Sequence, residues 1–153
     1  MKQFDPRHAG AAPVSRIEAV DQQTLLLVTA LRKFGRSDED LFWDNMTSLI
    51  GPARGDAARS YFDELMLLFT RYARRPLMTH DGGCSCIGAD EANFALFICS
   101  ATCGETEDAM LQAMLILRPD VVSSAVGIAQ QLGLLIGGAM PVVQAPTVGQ
   151  HYH

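Results

Sequence analysis

The sequence predicts an all-α fold, a single-domain helical bundle of about six helices with short loops and disordered termini. Three observations carry that prediction. Apolar residues recur at i, i+3 and i+4 in segment after segment, glycine and proline fall between those segments, and 48% of the 153 residues are apolar against 19% charged. A chain of that size and composition buries a core without a disulfide or metal staple. The expected division is a flexible arm over 1–14, a helical domain over 15–138 and a flexible tail over 139–153.

The first helix is expected to start at Ser15, where Ser15-x-x-Glu18 fits a capping box. Its apolar face runs through Ile17, Val20, Leu27, Val28, Leu31 and Phe34, and Gly35 ends it. A second helix follows from Asp38 to Leu49 with Ser37 as cap, closed by Gly51-Pro52. Trp43, the only tryptophan, lies off that helix's main stripe and is read as a core residue, with a place at an interface as the other reading. The third helix, Asp56 to Arg74, is rich in aromatic residues and methionine and stops before Pro76. Its aromatic stripe is read as core, the alternative being the lining of a ligand pocket. Helices from Ala89 to Cys103 and from Glu107 to Leu117 come next, then a sixth opened by Pro119 at its first position.

That sixth helix places Ala125, Ala129, Gly133 and Gly137 four apart, a row that lets another helix approach closely. A homodimer through this last helix is the expected assembly. No Asp, Glu, Lys or Arg occurs from Val121 to His153, which raises a membrane span as an option. Ser123, Ser124, Gln130 and Gln131 would then sit in hydrocarbon with no basic flank, so no membrane is expected. A net charge of −5 likewise predicts no nucleic-acid partner. Arg71, Arg74 and Arg75 are read as cations at a helix C-terminus, where the dipole favours them. The first residues have no apolar h-region, so the expectation is a cytoplasmic protein whose cysteines are thiols or metal ligands.

The stretch His80-Asp81-Gly82-Gly83-Cys84-Ser85-Cys86 carries the chemistry. Imidazole and thiolate together suit Zn²⁺ first and Cu(I) second, and few residues must be ordered to gather them. Gly82 and Gly83 are expected to supply the positive backbone angles of a loop turning around an ion. The reading is a metal site of His80, Cys84 and Cys86 holding zinc in a structural or regulatory role, with Asp90 or Glu91 as fourth ligand. Another chain, water, or His8, His151 or His153 on the termini are the other sources of that ligand. Cys99 and Cys103 do not complete it: with a helix starting near Ala89, Cys99 lies about 15 Å up the axis. They are read as small buried residues.

Two alternatives accompany the zinc reading. In a thiol redox protein Cys84 and Cys86 cycle between thiol and disulfide, and Cys86, just before a helix N-terminus, has the dipole to favour its thiolate. In a metal-free interaction module the apolar last helix binds another protein. A metal-dependent enzyme would need an open position and a base from Asp81, Asp90 or Glu91. The chain carries no H-E-x-x-H helix, serine triad or phosphate loop, so enzyme function is not read from the sequence.

Overall fold

The periodic apolar segments do form helices, and the surprises lie in what precedes and separates them. The computed structural model describes residues 6–137. The tail expected over 139–153, with His151 and His153, and the side chain of His8 lie outside the described residues. Among those described are α1 (Gln22–Lys33), α2 (Glu39–Ile50), α3 (Pro52–Arg71), α4 (Ala89–Thr102), α5 (Thr106–Met114) and α6 (Pro119–Gly137). A short antiparallel ribbon joins β1 (Pro13–Arg16) to β2 (Cys86–Gly88), and a 3-10 segment, Pro6–Ala11, leads into it.

The ribbon overturns the expected start of the first helix. Ser15 pairs with Ile87, and the Ile17 amide donates to the Ser85 carbonyl at 2.8 Å, so the capping box never forms. These backbone groups find strand partners far along the chain instead of a helical turn. Helix α1 begins at Gln22, capped by Asp21, whose Oδ1 accepts the Thr24 amide at 2.7 Å. The 3-10 segment and β1 both pack on α4, so residues 6–14 of the expected arm belong to the fold.

Smaller shifts have equally local causes. Asp38, not Ser37, occupies the cap position of α2. Pro52 sits at the first position of α3, where its missing N–H costs nothing, so the helix starts earlier than expected. It ends at Arg71 because the next residues pair elsewhere. Ala73 forms a bridge with Leu117, the Arg74 amide donates to Ile116 O at 2.7 Å, and the Arg118 amide donates to Tyr72 O at 3.0 Å.

The core is centred on α3, α4 and α6. Aromatic rings link it: Trp43 lies 5.3 Å from Phe62, Phe62 6.4 Å from Phe94, and Phe94 5.5 Å from Phe69. Trp43 is buried, as expected of a core residue. On α6, Ala125, Ala129 and Gly133 are buried, and a Cβ on Gly133 would fall 1.7 Å from Thr102 Oγ1 of α4. Of the small-residue row, Gly133 is therefore packed on α4 of the same chain, Ala125 and Ala129 are buried within the bundle, and Gly137 is exposed. Helix α6 is long and apolar enough to cross a membrane, with a mean hydropathy of 1.3, yet it is two-faced. Val122, Leu132 and Ile136 are buried in the bundle, while Ser123, Ser124, Gln130 and Gln131 are exposed.

Where α2 and α3 meet, Gly55 has no room for a side chain: a Cβ there would lie 2.8 Å from Thr47 Cα, which is backbone and cannot rotate away. Gly55→Ala should therefore destabilise the fold by about 1 kcal/mol or more in urea unfolding, overpacking outweighing the helix-propensity gain of about 1 kcal/mol. A more stable variant would show that the two helices separate freely.

Candidate thiol and imidazole site

The loop between α3 and α4 is held by two buried carboxylates on the first turn of α4. Asp90 and Glu91 are 3% and 0% exposed, so neither is the helix-start surface residue nor the free metal ligand that the sequence suggests. Asp90 receives both Arg75 guanidinium nitrogens at 2.7 Å and the Met78 amide at 2.8 Å. Glu91 receives Arg32 Nε at 2.6 Å and Nη2 at 3.3 Å, and its Oε1 also accepts the His80 amide at 2.8 Å. Their oxygens are spent on arginines and backbone amides. Arg75, expected as a helix-end cation, is instead the bidentate partner of Asp90.

Arg32 completes the frame. It is 3% exposed, and beyond Glu91 it donates Nη1 to the Cys84 carbonyl at 2.7 Å and Nη2 to the Cys86 carbonyl at 2.6 Å. A buried guanidinium needs this many acceptors to offset its lost hydration. Arg32 is not among the residues that the sequence motifs single out, although it stands four residues after Val28 and so falls on the apolar face of α1.

His80 and Cys84 come together on this frame. Nδ1 of His80 lies 3.4 Å from Cys84 Sγ, and Nε2 lies 2.7 Å from the Ala11 carbonyl oxygen. A carbonyl only accepts, so Nε2 carries a proton and Nδ1 faces the sulfur as acceptor or, when the ring is charged, as donor. The thiol raises the imidazole pKa above its ordinary value, helped by the Ala11 carbonyl and by Glu91. The imidazole in turn holds the Cys84 thiol below its ordinary value, with the Cys86 backbone amide next and Arg32 adding a smaller electrostatic share. Both shifts favour a thiolate and imidazolium pair.

The glycines around the site act by making room. A Cβ on Gly10 would lie 2.1 Å from Asp90 Oδ2, and one on Gly88 would lie 2.9 Å from His80 Nε2. The 3-10 segment thus approaches the α4 turn closely enough for Ala11 to reach the imidazole. Gly82 and Gly83 do not have the positive φ expected of them; they occupy a turn closed by the Cys84 amide on the Asp81 carbonyl at 2.9 Å.

Cys86 is half-buried in β2 and its carbonyl is held by Arg32. Among the described residues no three His, Cys, Asp or Glu side chains gather as a metal site, so the expected trio of His80, Cys84 and Cys86 is assembled only as far as the first two. The sequence placed thiolate character on Cys86 through the helix dipole, whereas the imidazole stands beside Cys84. Cys99 and Cys103 ride on α4 and its C-terminal cap, away from the loop, and burial pushes the Cys99 thiol up to about 11. Comparison with protein-family models, curated proteins and solved structures found no match to this chain.

Arg32→Leu should lower stability by about 3–5 kcal/mol, because it leaves Glu91 buried without its cation. Arg32→Leu with Glu91→Leu should recover a large part of that loss. Urea unfolding of the three proteins measures the coupling, and additive effects would mean that the pair carries none.

Proposed function

We propose that this chain is a thiol redox protein in which Cys84 is the reactive sulfur, His80 its activating base and Cys86 the resolving thiol. The observation that carries this reading is the 3.4 Å approach of His80 Nδ1 to Cys84 Sγ, with the ring fixed from its far side by Ala11. A thiolate rather than a thiol is the nucleophile, and a neighbouring imidazolium is a common means of forming it near neutral pH.

The reaction is exchange with a disulfide. Cys84 Sγ attacks one sulfur of a partner disulfide, the S–S bond of that partner breaks, and its other sulfur leaves as a thiolate that takes up a proton. The Cys86 thiol then gives up its proton and attacks Cys84 Sγ, forming the Cys84–Cys86 disulfide and releasing the second partner thiolate, which is protonated in turn. Two electrons pass from the protein's thiols to the partner disulfide. His80 holds the proton that Cys84 gives up, and the half-buried setting of both cysteines leaves them reachable by a small disulfide.

The zinc reading keeps a specific support. An Nε2–H held by a backbone carbonyl leaves Nδ1 free for a metal, the outer arrangement common to ligating histidines, and a separation of 3.4 Å suits two donors on one tetrahedral ion. Zinc on His80 and Cys84 then needs Cys86 to turn toward them and a fourth donor from water or another chain. Its structural or regulatory role would be to fix the loop to α4. Metal content of protein purified without chelator separates the two readings: about one equivalent of zinc, lost in Cys84→Ser, favours the metal site.

Two outcomes test the redox reading. Alkylation of Cys84 by iodoacetamide, followed by mass mapping in a Cys103→Ser background, should show a pH midpoint below the value of about 8.5 of a free cysteine. His80→Gln should move that midpoint upward, since it removes the group that stabilises the thiolate. A midpoint at or above the free value, unmoved by His80→Gln, would sink the proposal. With hydroxyethyl disulfide, Cys86→Ser should stop at the mixed disulfide on Cys84, whereas the unaltered chain should proceed to a Cys84–Cys86 disulfide with the loss of two thiols.

A further inference from the structure

A cavity of about 520 Å³ opens between α1, the C-terminal end of α3 and the segment that follows it. Its volume falls within the range usual for small-molecule sites. Leu31 and Phe34 of the α1 end and Met66 and Phe69 of α3 give it an apolar floor, and Leu31, Met66 and Phe69 belong to the buried core. This is the aromatic and methionine stripe of α3, which thus serves the core on one part of its surface and the cavity on another.

The polar part of the lining is of one sign. Among the described residues Arg32, Arg36, Arg74 and Arg75 border the cavity and no Asp or Glu does, in a chain whose net charge is −5. Two of these cations are already balanced, Arg32 by Glu91 and Arg75 by Asp90. The other two are not. Arg36 is exposed, with Asp81 3.9 Å away as its nearest carboxylate, and Asp81 is itself 95% exposed to water. Arg74 is exposed, and its side chain forms no hydrogen bond or ion pair with another described residue, while its amide is fixed on Ile116 O. Two exposed guanidinium groups with no buried carboxylate partner among the described residues, set over an apolar floor, describe a site for a molecule with an apolar body and an anionic head.

We propose that this cavity binds a small amphipathic carboxylate, with its apolar body on the Leu31, Met66 and Phe69 floor and its carboxylate met by Arg36 and Arg74. This site does not depend on the chemistry of Cys84. It is nevertheless one side chain away from that loop, because Arg32 borders the cavity and donates to the Cys84 and Cys86 carbonyls. A second depression shares Arg32 and Arg36 and extends to Gly82 and Gly83, next to Cys84 in the chain.

Calorimetric titration of the full chain with decanoate, decanol and inorganic phosphate tests the assignment. Decanoate should bind saturably at one site, at least tenfold more tightly than either of the others. Arg36→Gln with Arg74→Gln should weaken decanoate at least tenfold and leave the unfolding temperature little changed, since both side chains are exposed. Thr70→Trp, at the exposed rim, should block decanoate by filling the opening, and Cys84→Ser should leave binding intact. The proposal is overturned if decanoate fails to saturate, or if decanol binds equally well. Phosphate binding as tight as decanoate, or unchanged affinity in either the double arginine variant or Thr70→Trp, overturns it too.

Discussion

The buried contact between Arg32 and Glu91 is the constraint around which this molecule is organised. Both side chains are almost wholly removed from water, and an ion pair at that depth survives only when every remaining donor and acceptor is used. The guanidinium uses its spare N–H groups on the Cys84 and Cys86 carbonyls, and the carboxylate uses its spare lone pair on the His80 amide. One electrostatic requirement therefore fixes the loop at three backbone positions. Asp90 adds a fourth at Met78, and is itself locked by Arg75. Helix α4 supplies both carboxylates from adjacent positions, so its first turn works as a clamp, and the favourable meeting of acids with a helix N-terminus is only part of their role.

The chemistry follows from how that clamp aims the loop. With the His80 backbone fixed on Glu91, the imidazole lies between Ala11 and Cys84, and the Ala11 carbonyl decides which nitrogen carries the proton. Ala11 can reach the ring because Gly10 and Gly88 leave no side chain between the 3-10 segment and α4. The same nitrogen that polarises a thiol is the one a metal would take, so the geometry serves nucleophilic and ligand chemistry from a single tautomer. The two acids that open α4 are committed to arginines, which supports the proposed thiol reading over the metal one.

The arginines also explain how a chain with net negative charge presents a basic hollow. Arg32 and Arg75 face inward to the α4 acids and at the same time border the cavity beside α3, where Arg36 and Arg74 stand without buried partners. Loop and cavity thus share a wall. Elsewhere the bundle uses its special residues for packing: Gly133 admits α4 against α6, and Gly55 admits α2 against α3. Helix pairs that approach this closely hold the platform on which the clamp sits.

Fold class, most helix positions and the nearness of His80 to Cys84 were legible in the sequence, because each depends on residues near one another in the chain. Helical periodicity and Pro119 at a first turn are local facts, as is the gathering of imidazole and thiols in one loop. Tertiary structure alone decided the rest. Ser15 carries a good local capping signal, yet it pairs with Ile87 across the chain, and a strand partner satisfies backbone groups as well as a helix does. Asp90 and Glu91 look like ordinary helix-start acids until Arg75 and Arg32 arrive from outside the helix. The small residues of α6 suit any close neighbour, and only the path of the chain shows that α4 lies against Gly133. Spacing along a sequence fixes which groups share a face; which charge finds which partner depends on contacts between residues as far apart as Arg32 and Glu91, and those exist only once the chain has closed on itself.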